Sequence, residues 1–373
     1  MLKVEAPLKQ YLNAKGTAVN FALSRVIRMT ATLLLRAGFI ASIFGACTIV
    51  HSQVPMYEGP DRMQRLLEGA KREGNLTIYT SMAAPDSARL TAAFEKKYNI
   101  KVKVWRSGKD KILQRVISEA RAGRHEADFV LNPSPEMEAL VREKLLQPVR
   151  SPVQKDLIAA ALPAHREWTG MRVYIFAQSY NTGKVSKEEL PRTFQDLLNP
   201  RWKGRLGIEV KQQEWFYALV QTMGEEKGLK FFRDLIATNE VSLRTGNSLL
   251  NNMVISGEVP FSLNVYSYLP EQARASGAPI DFITLSPTIA FTDGIGITQR
   301  APHPHAATLF YDFMLTEGQA IVSENKAVTT NRRDEATLAK LNLVYVNPAQ
   351  ILDGYEKWAK LYDDTLNSKG STR

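Results

Sequence analysis

The sequence predicts an α/β protein built as two lobes. Three observations carry that expectation. Short apolar runs alternate with amphipathic stretches from residue 62 onward, the pattern of parallel strands joined by right-handed helical crossovers. A length of 373 residues exceeds what one ordinary core accommodates and suits two. Two near-continuous apolar strands, Val173–Gln178 and Ile289–Ile297, divide the chain where connections between lobes would run.

The first block reads clearly. A helix over 62–71 ends at Glu73-Gly74-Asn75, and Leu76–Thr80 follows as an apolar strand. Leu90, Phe94 and Tyr98 share one helix face, and Ile100, Val102 and Val104 alternate as a strand. The strongest helical stripe is Ile112, Leu113, Val116, Ile117 and Ala120; a third strand, Asp128–Leu131, precedes another helix from Met137. In open α/β sheets, ligands bind beyond the carboxyl ends of the strands. Those ends carry Thr80 and Ser81, Arg106 and Ser107, and Asn132, which makes these five residues candidates.

The second block has a strand at Leu206–Val210, a helix opening near Trp215, a helix over Leu229–Ile236, and then Arg244–Tyr268, RTGNSLLNNMVISGEVPFSLNVYSY. Arg244, Thr245 and Asn247 stand at the start of a short helix whose apolar positions are Leu249, Leu250, Met253 and Val254, with Gly257 as its stop. A helix N-terminus attracts anions. From Phe261 the period becomes two, which predicts a strand with Tyr266 and Tyr268 on one face. Trp215 and the two tyrosines supply stacking surfaces, and Asp293 lies on the return strand. A segment over 278–283 reads as a further strand, and the chain ends in mixed-charge helices. His303 and His305 flank a proline and read as turn residues, not metal ligands.

Charge and missing motifs exclude other classes. The formal net charge is +10, but residues 1–52 hold six basic residues against Glu5 alone, so half the surplus belongs to the leader. The rest lacks a basic run interleaved with aromatics, which argues against nucleic acid. The leader itself, with Arg25 and Arg28 before an apolar stretch interrupted by Arg36, reads as an export signal and not as a membrane span; Met29 is a candidate initiator. Cys47, the only cysteine, lies there, which removes thiol nucleophiles and thiolate metal sites from the rest. No phosphate loop, dinucleotide fingerprint, HExxH or GxSxG occurs.

Several segments together resemble the bacterial extracellular solute-binding proteins of ABC importers, in the branch that includes the ferric-iron binding proteins. They are Glu68–Ser81, Ala93–Val102, Gln114–Val130, Ser179–Ile208, Arg244–Tyr268 and Ala301–Lys326. The resemblance implies a type II periplasmic-binding-protein fold, with two α/β lobes joined by a two-strand hinge and a ligand cleft between them. Residues 1–52 would be the leader, 53–178 the first part of lobe 1, 179–287 lobe 2, and 288–373 the return to lobe 1 with C-terminal helices. It also implies hinge closure, delivery to permease subunits, and a periplasmic location with no cofactor and no catalysis. A monomer is expected, and Cys47 partly resembles a lipoprotein box, so a lipid anchor there would be the only membrane tie. Ferric binders of this family carry adjacent tyrosines plus His and acidic ligands. This chain has Tyr266-Ser267-Tyr268, and its loop after Thr80 offers no histidine. The sequence therefore favours a small anionic or zwitterionic organic solute, held by Arg244 and the helix N-terminus. The alternative is ferric iron on Tyr266, Tyr268 and Asp293.

Overall fold

The computed structural model describes residues 53–366. The export signal, Met29 and Cys47 lie outside the described residues, as does the tail from residue 367. No helix among the described residues is long and apolar enough to cross a membrane.

The first block folds as α1 (Arg62–Glu73), β1 (Asn75–Thr80), α2 (Ala84–Tyr98), β2 (Lys101–Arg106), α3 (Lys109–Arg121), β3 (Phe129–Pro133), α4 (Ser134–Arg142) and the short β4 (Leu146–Gln147). The punctuation is where local chemistry puts it. Gly74 closes α1 at φ 74°, donating its N–H to the Ala70 carbonyl. Pro85 opens α2, and Asn99 ends it in the left-handed region at φ 55°. Strands β5 (Thr169–Asn181), β6 (Leu206–Glu209), β7 (Ser242–Arg244), β8 (Phe261–Ser262), β9 (Val265–Tyr266), β10 (Ile280–Ile283) and β11 (Thr288–Thr298) follow. Between them lie α5 (Gln213–Met223), α6 (Glu225–Asn239), α7 (Asn247–Ser256) and α8 (Tyr268–Ala275). The chain closes with α9 (Pro304–Leu315), α10 (Glu317–Glu324), β12 (Val328–Thr329), α11 (Glu335–Ala339), β13 (Leu343–Tyr345), α12 (Pro348–Asp353) and α13 (Tyr355–Leu366).

The strand order is β2-β1-β3-β11-β5-β8-β6-β7. Parallel pairing holds within β2-β1-β3 and within β8-β6-β7, as the βαβ rhythm requires. The two long central strands depart from it. β11 is antiparallel to β3 and β5, and β5 is antiparallel to β8. Both are buried along their whole length. They run between two apolar cores. One contains Leu90, Phe94, Phe129 and Phe310; the other contains Trp202, Trp215, Phe232 and Phe261.

Two expectations change. The run from Phe261 to Tyr268 is not one strand. Asn264 spends its side chain on the Glu209 backbone, accepting from N–H (2.8 Å) and donating to the carbonyl (3.0 Å), which interrupts the ladder between β8 and β9. The chain then turns into α8 at Tyr268, with Pro270 in the first turn where proline is tolerated. Finally, α13 does not stay with the first core. Trp358 packs edge-on against Tyr217 at 4.9 Å, Tyr362 against Phe216 at 5.0 Å, and Lys357 pairs with Glu225.

Candidate functional site

The crossing strands bring an aromatic and ionic cluster to the centre of the molecule. Tyr174 on β5, Tyr266 ending β9 and Tyr268 opening α8 share one stack. Tyr174 and Tyr266 have ring centroids 4.4 Å apart, and Tyr266 and Tyr268 lie 6.3 Å apart at 16°. The serine between the last two does not separate their rings, because the helix that begins at Tyr268 swings the second ring parallel to the first. The Tyr266 hydroxyl exchanges hydrogen bonds with the Gln212 amide at 2.8 and 3.2 Å. Phe291 on β11 packs beside Tyr174 at 5.1 Å.

Beneath this stack lies Arg172, 1% exposed, as is Asp293. Arg172 Nε donates to Asp293 Oδ2 at 3.0 Å, its Nη2 donates to the Tyr174 hydroxyl, and its Nη1 faces Asp86 at 3.6 Å. Burial opposes the guanidinium charge, but Tyr174, Asp293, Tyr268 and Asp86 around it push its pKa upward. Burial raises the Asp293 carboxyl, and Arg172 offsets part of that. All three phenols are raised, chiefly by burial; Glu214 adds to this for Tyr266, while Arg172 opposes it for Tyr174 and Tyr268.

A second ionic group joins the two blocks. Lys109, the first residue of α3, places Nζ 3.0 Å from Glu214 on α5 and 3.3 Å from Glu136 on α4. Both carboxylates are nearly inaccessible, and burial, opposed by Lys109, raises Glu136 to about 7. A third link runs from α8 through Asn325 to α2. Gln272 donates to the Asn325 carbonyl (2.6 Å), and the Asn325 amide donates to Asp86 (2.8 Å).

The sequence-derived candidates divide accordingly. Tyr266, Tyr268 and Asp293 meet in the cluster. Asn132 is buried against it, donating to the Lys109 carbonyl at 3.1 Å with its Oδ1 unpartnered. Thr80, Ser81, Arg106 and Ser107 form the adjoining loops. Thr80 Oγ1 accepts from Met82 N–H, Arg106 Nε donates to the Met82 carbonyl, and Ser107 N–H donates to the Thr80 carbonyl. The rest fare differently. Trp215 is a core residue, packed against Phe232 at 5.5 Å and offering no free face. Arg244 turns back along its own block, with Nε 3.3 Å from Met253 Sδ and Nη2 3.7 Å from Glu258. Thr245 is exposed and Asn247 begins α7. The anion expected at that helix end is internal: Glu209 accepts from Gly246 N–H (2.9 Å) with one oxygen and from Lys211 N–H (2.9 Å) with the other. Gly246 holds φ 112°, a conformation that favours glycine. His303 and His305 are spent on Asp128 (3.0 Å) and Glu73 (2.7 Å).

Sequence reasoning missed Arg172, Tyr174, Asp86, Lys109, Glu136 and Glu214. An arginine inside an apolar strand was a legible signal for the first two. The others lie on helices remote in sequence and show no spacing that links them.

The sequence profile of the family described as bacterial extracellular solute-binding protein matches residues 76–325. The chain belongs to this family. This solute-binding protein is 25% identical over 289 residues to iron uptake protein A1 of Synechocystis, covering 72% of this chain and 78% of that one. The iron-bound HitA structure from Pseudomonas aeruginosa superposes with a TM-score of 0.69 at 23% identity, over 78% of this chain and 99% of that one. The periplasmic binding protein AfuA from Actinobacillus pleuropneumoniae, with fructose-6-phosphate bound, gives 0.69 at 21% identity, over 79% and 99%. The fold is the type II periplasmic-binding-protein fold expected from the sequence. The protein is a solute-binding component of an ABC importer and works with permease subunits; its family consists of binding proteins.

Proposed function

We propose that this solute-binding protein captures ferric iron in the periplasm, with Tyr266, Tyr268 and Tyr174 as phenolate ligands and Asp293 as a carboxylate ligand. The observation that carries the reading is the three-tyrosine stack set in a carboxylate-rich wall. Asp86, Glu136, Glu209, Glu214 and Asp293 surround it against Lys109 and Arg172, a balance that attracts a cation and repels an anion. A hard trivalent cation prefers anionic oxygen donors. The organic-anion reading relied on Arg244, the α7 N-terminus and Trp215, and those groups are committed to Glu258, Glu209 and the core. The relative named as an iron uptake protein adds support.

In this reading residues 53–178 with the strand return at 288 close against 179–287 about β5 and β11, and iron bridging the two sides favours the closed form. The phenols are raised, so they are protonated when iron arrives and each Fe–O bond releases a proton. Affinity should therefore rise with pH. One observation favours an organic oxyanion as a second reading: Arg172 Nη1 is buried without a hydrogen bond.

Both are decided by titrating purified protein with ferric nitrilotriacetate and, separately, with sugar phosphates and organic acids. Ferric iron should develop a visible tyrosinate-to-iron charge-transfer band. Tyr266→Phe and Tyr268→Phe should each weaken iron binding about a hundredfold, equivalent to about 2.7 kcal/mol. A calorimetric signal with an organic anion, and no coloured complex with iron, would replace the ferric reading with the second one.

A further inference from the structure

One cavity lies away from the tyrosine stack. It occupies about 270 Å³ where α3 ends, β3 and β4 begin and β11 leaves the sheet. The candidate residues Thr80, Arg106 and Asn132 stand at or near the carboxyl ends of β1, β2 and β3. The cavity adjoins the amino end of β3, a strand of five residues, so the two places are roughly 17 Å apart along the sheet.

The cavity has an apolar floor that includes Val116 and Leu145, and a basic rim of Arg124, His125, Lys144 and Arg300. Two carboxylates also line it, and both are committed. Glu119 accepts from the Tyr79 hydroxyl at 2.9 and 3.0 Å and from Arg115 Nε at 2.6 Å. Glu126 lies between Arg115 at 3.7 Å and Arg124 at 3.9 Å. Arg300 instead faces a ring that carries no negative charge: its Nη1 is 3.5 Å from His125 Nε2. Burial, with the charge of Arg300 added, disfavours protonation of that ring. Among the described residues neither Arg300 nor Lys144 forms an ion pair. A guanidinium and an ammonium that form no ion pair, with an imidazole beside the guanidinium, thus border a concave, partly apolar space whose two carboxylates are engaged by Tyr79, Arg115 and Arg124. Such donors are strongest toward a carboxylate or phosphate, and an apolar floor rewards a ligand with an apolar body.

We propose that this cavity is a second ligand site for a small amphiphilic oxyanion, an aryl or short-chain carboxylate or phosphate. Its head lies against Arg300, His125 and Lys144, and its body covers Val116 and Leu145.

Calorimetry with phenyl phosphate tests this on the iron-free protein. Phenyl phosphate should bind at least about tenfold more tightly than inorganic phosphate, because only the ester reaches the apolar floor. Arg300→Gln, an exposed change, should weaken it about tenfold or more. Ala120→Phe, which fills the cavity while leaving its charges, should also abolish binding. Tyr266→Phe should leave it unchanged, which separates this site from the cleft. Three results would overturn the proposal. One is no phenyl phosphate binding at millimolar concentration, and another is equal binding by Arg300→Gln. The third is loss in Tyr266→Phe without loss in Arg300→Gln, which would place the anion in the cleft. Sedimentation with phosphatidylglycerol vesicles, in the absence of phenyl phosphate binding, would assign the basic rim to a membrane surface and equally refute a small-anion site.

Discussion

Arg172→Met is expected to destabilise the protein by about 3–5 kcal/mol in urea denaturation at pH 7, the cost of stranding a buried charge. Arg172 and Asp293 are each 1% exposed and joined by a 3.0 Å hydrogen bond. They lie on the two crossing strands, whose register sets Arg172 opposite Asp293 next to an irregularity in the ladder. Methionine fills much of the space but leaves the Asp293 carboxylate, and the nearby Asp86, without a cation. The remedy open to the variant is to protonate Asp293, so the loss should shrink as pH falls toward the carboxylate range. Arg172→Met combined with Asp293→Asn should recover more than half of the loss. Arg172→Lys should recover little, since one ammonium cannot serve Asp293, Tyr174 and Asp86 from a planar fork. A loss below about 1 kcal/mol in the single variant would mean that water reaches the pair, and the buried-charge account would then fail.

What could be read in the sequence follows a physical divide. Local patterns survived. The alternation in the first block, the glycine stops at Gly74 and Gly257, and the hydrophobic face of α3 all appear where periodicity placed them. The two tyrosines also come together, although by a route the pattern did not predict. A period-two reading put Tyr266 and Tyr268 on one strand face, whereas a helix start brings them together. Arg244 and the α7 N-terminus illustrate the limit. An arginine beside a helix start is a sound anion signal in isolation, yet Glu209 and Glu258, 35 positions before Arg244 and 14 after it, supply the negative charge from within. Tertiary partners decide whether a local charge is available. The same reason hid the Lys109 group, whose three members lie at 109, 136 and 214 and converge only once α3, α4 and α5 pack.

That convergence makes Lys109→Met the second large effect, about 3 kcal/mol of stability at pH 8. The lower end of the range for a broken buried pair applies because Lys109 keeps 26% of its side-chain surface in water. Glu136 and Glu214 are 3% and 5% exposed, and in the variant they repel each other without the intervening ammonium. The pH dependence has a definite sign. Burial, with Glu214 adding to it and Lys109 opposing it, raises Glu136 from 4.5 to about 7 in the folded protein. A carboxyl raised on folding binds more protons folded than unfolded, so stability is greater below 4.5 and declines as pH rises toward 7. Removing Lys109 takes away the charge that holds Glu136 down, which pushes the upper end of this window above 7. The difference between variant and parent should therefore widen from pH 5.5 to pH 8.5 in parallel urea titrations. Lys109→Met with Glu136→Gln should flatten it, because the carboxyl that titrates in this window and its repulsion with Glu214 are both gone. A difference constant across that range would mean that Lys109 acts through packing alone. The ionic link between the two blocks would then contribute nothing to holding them together.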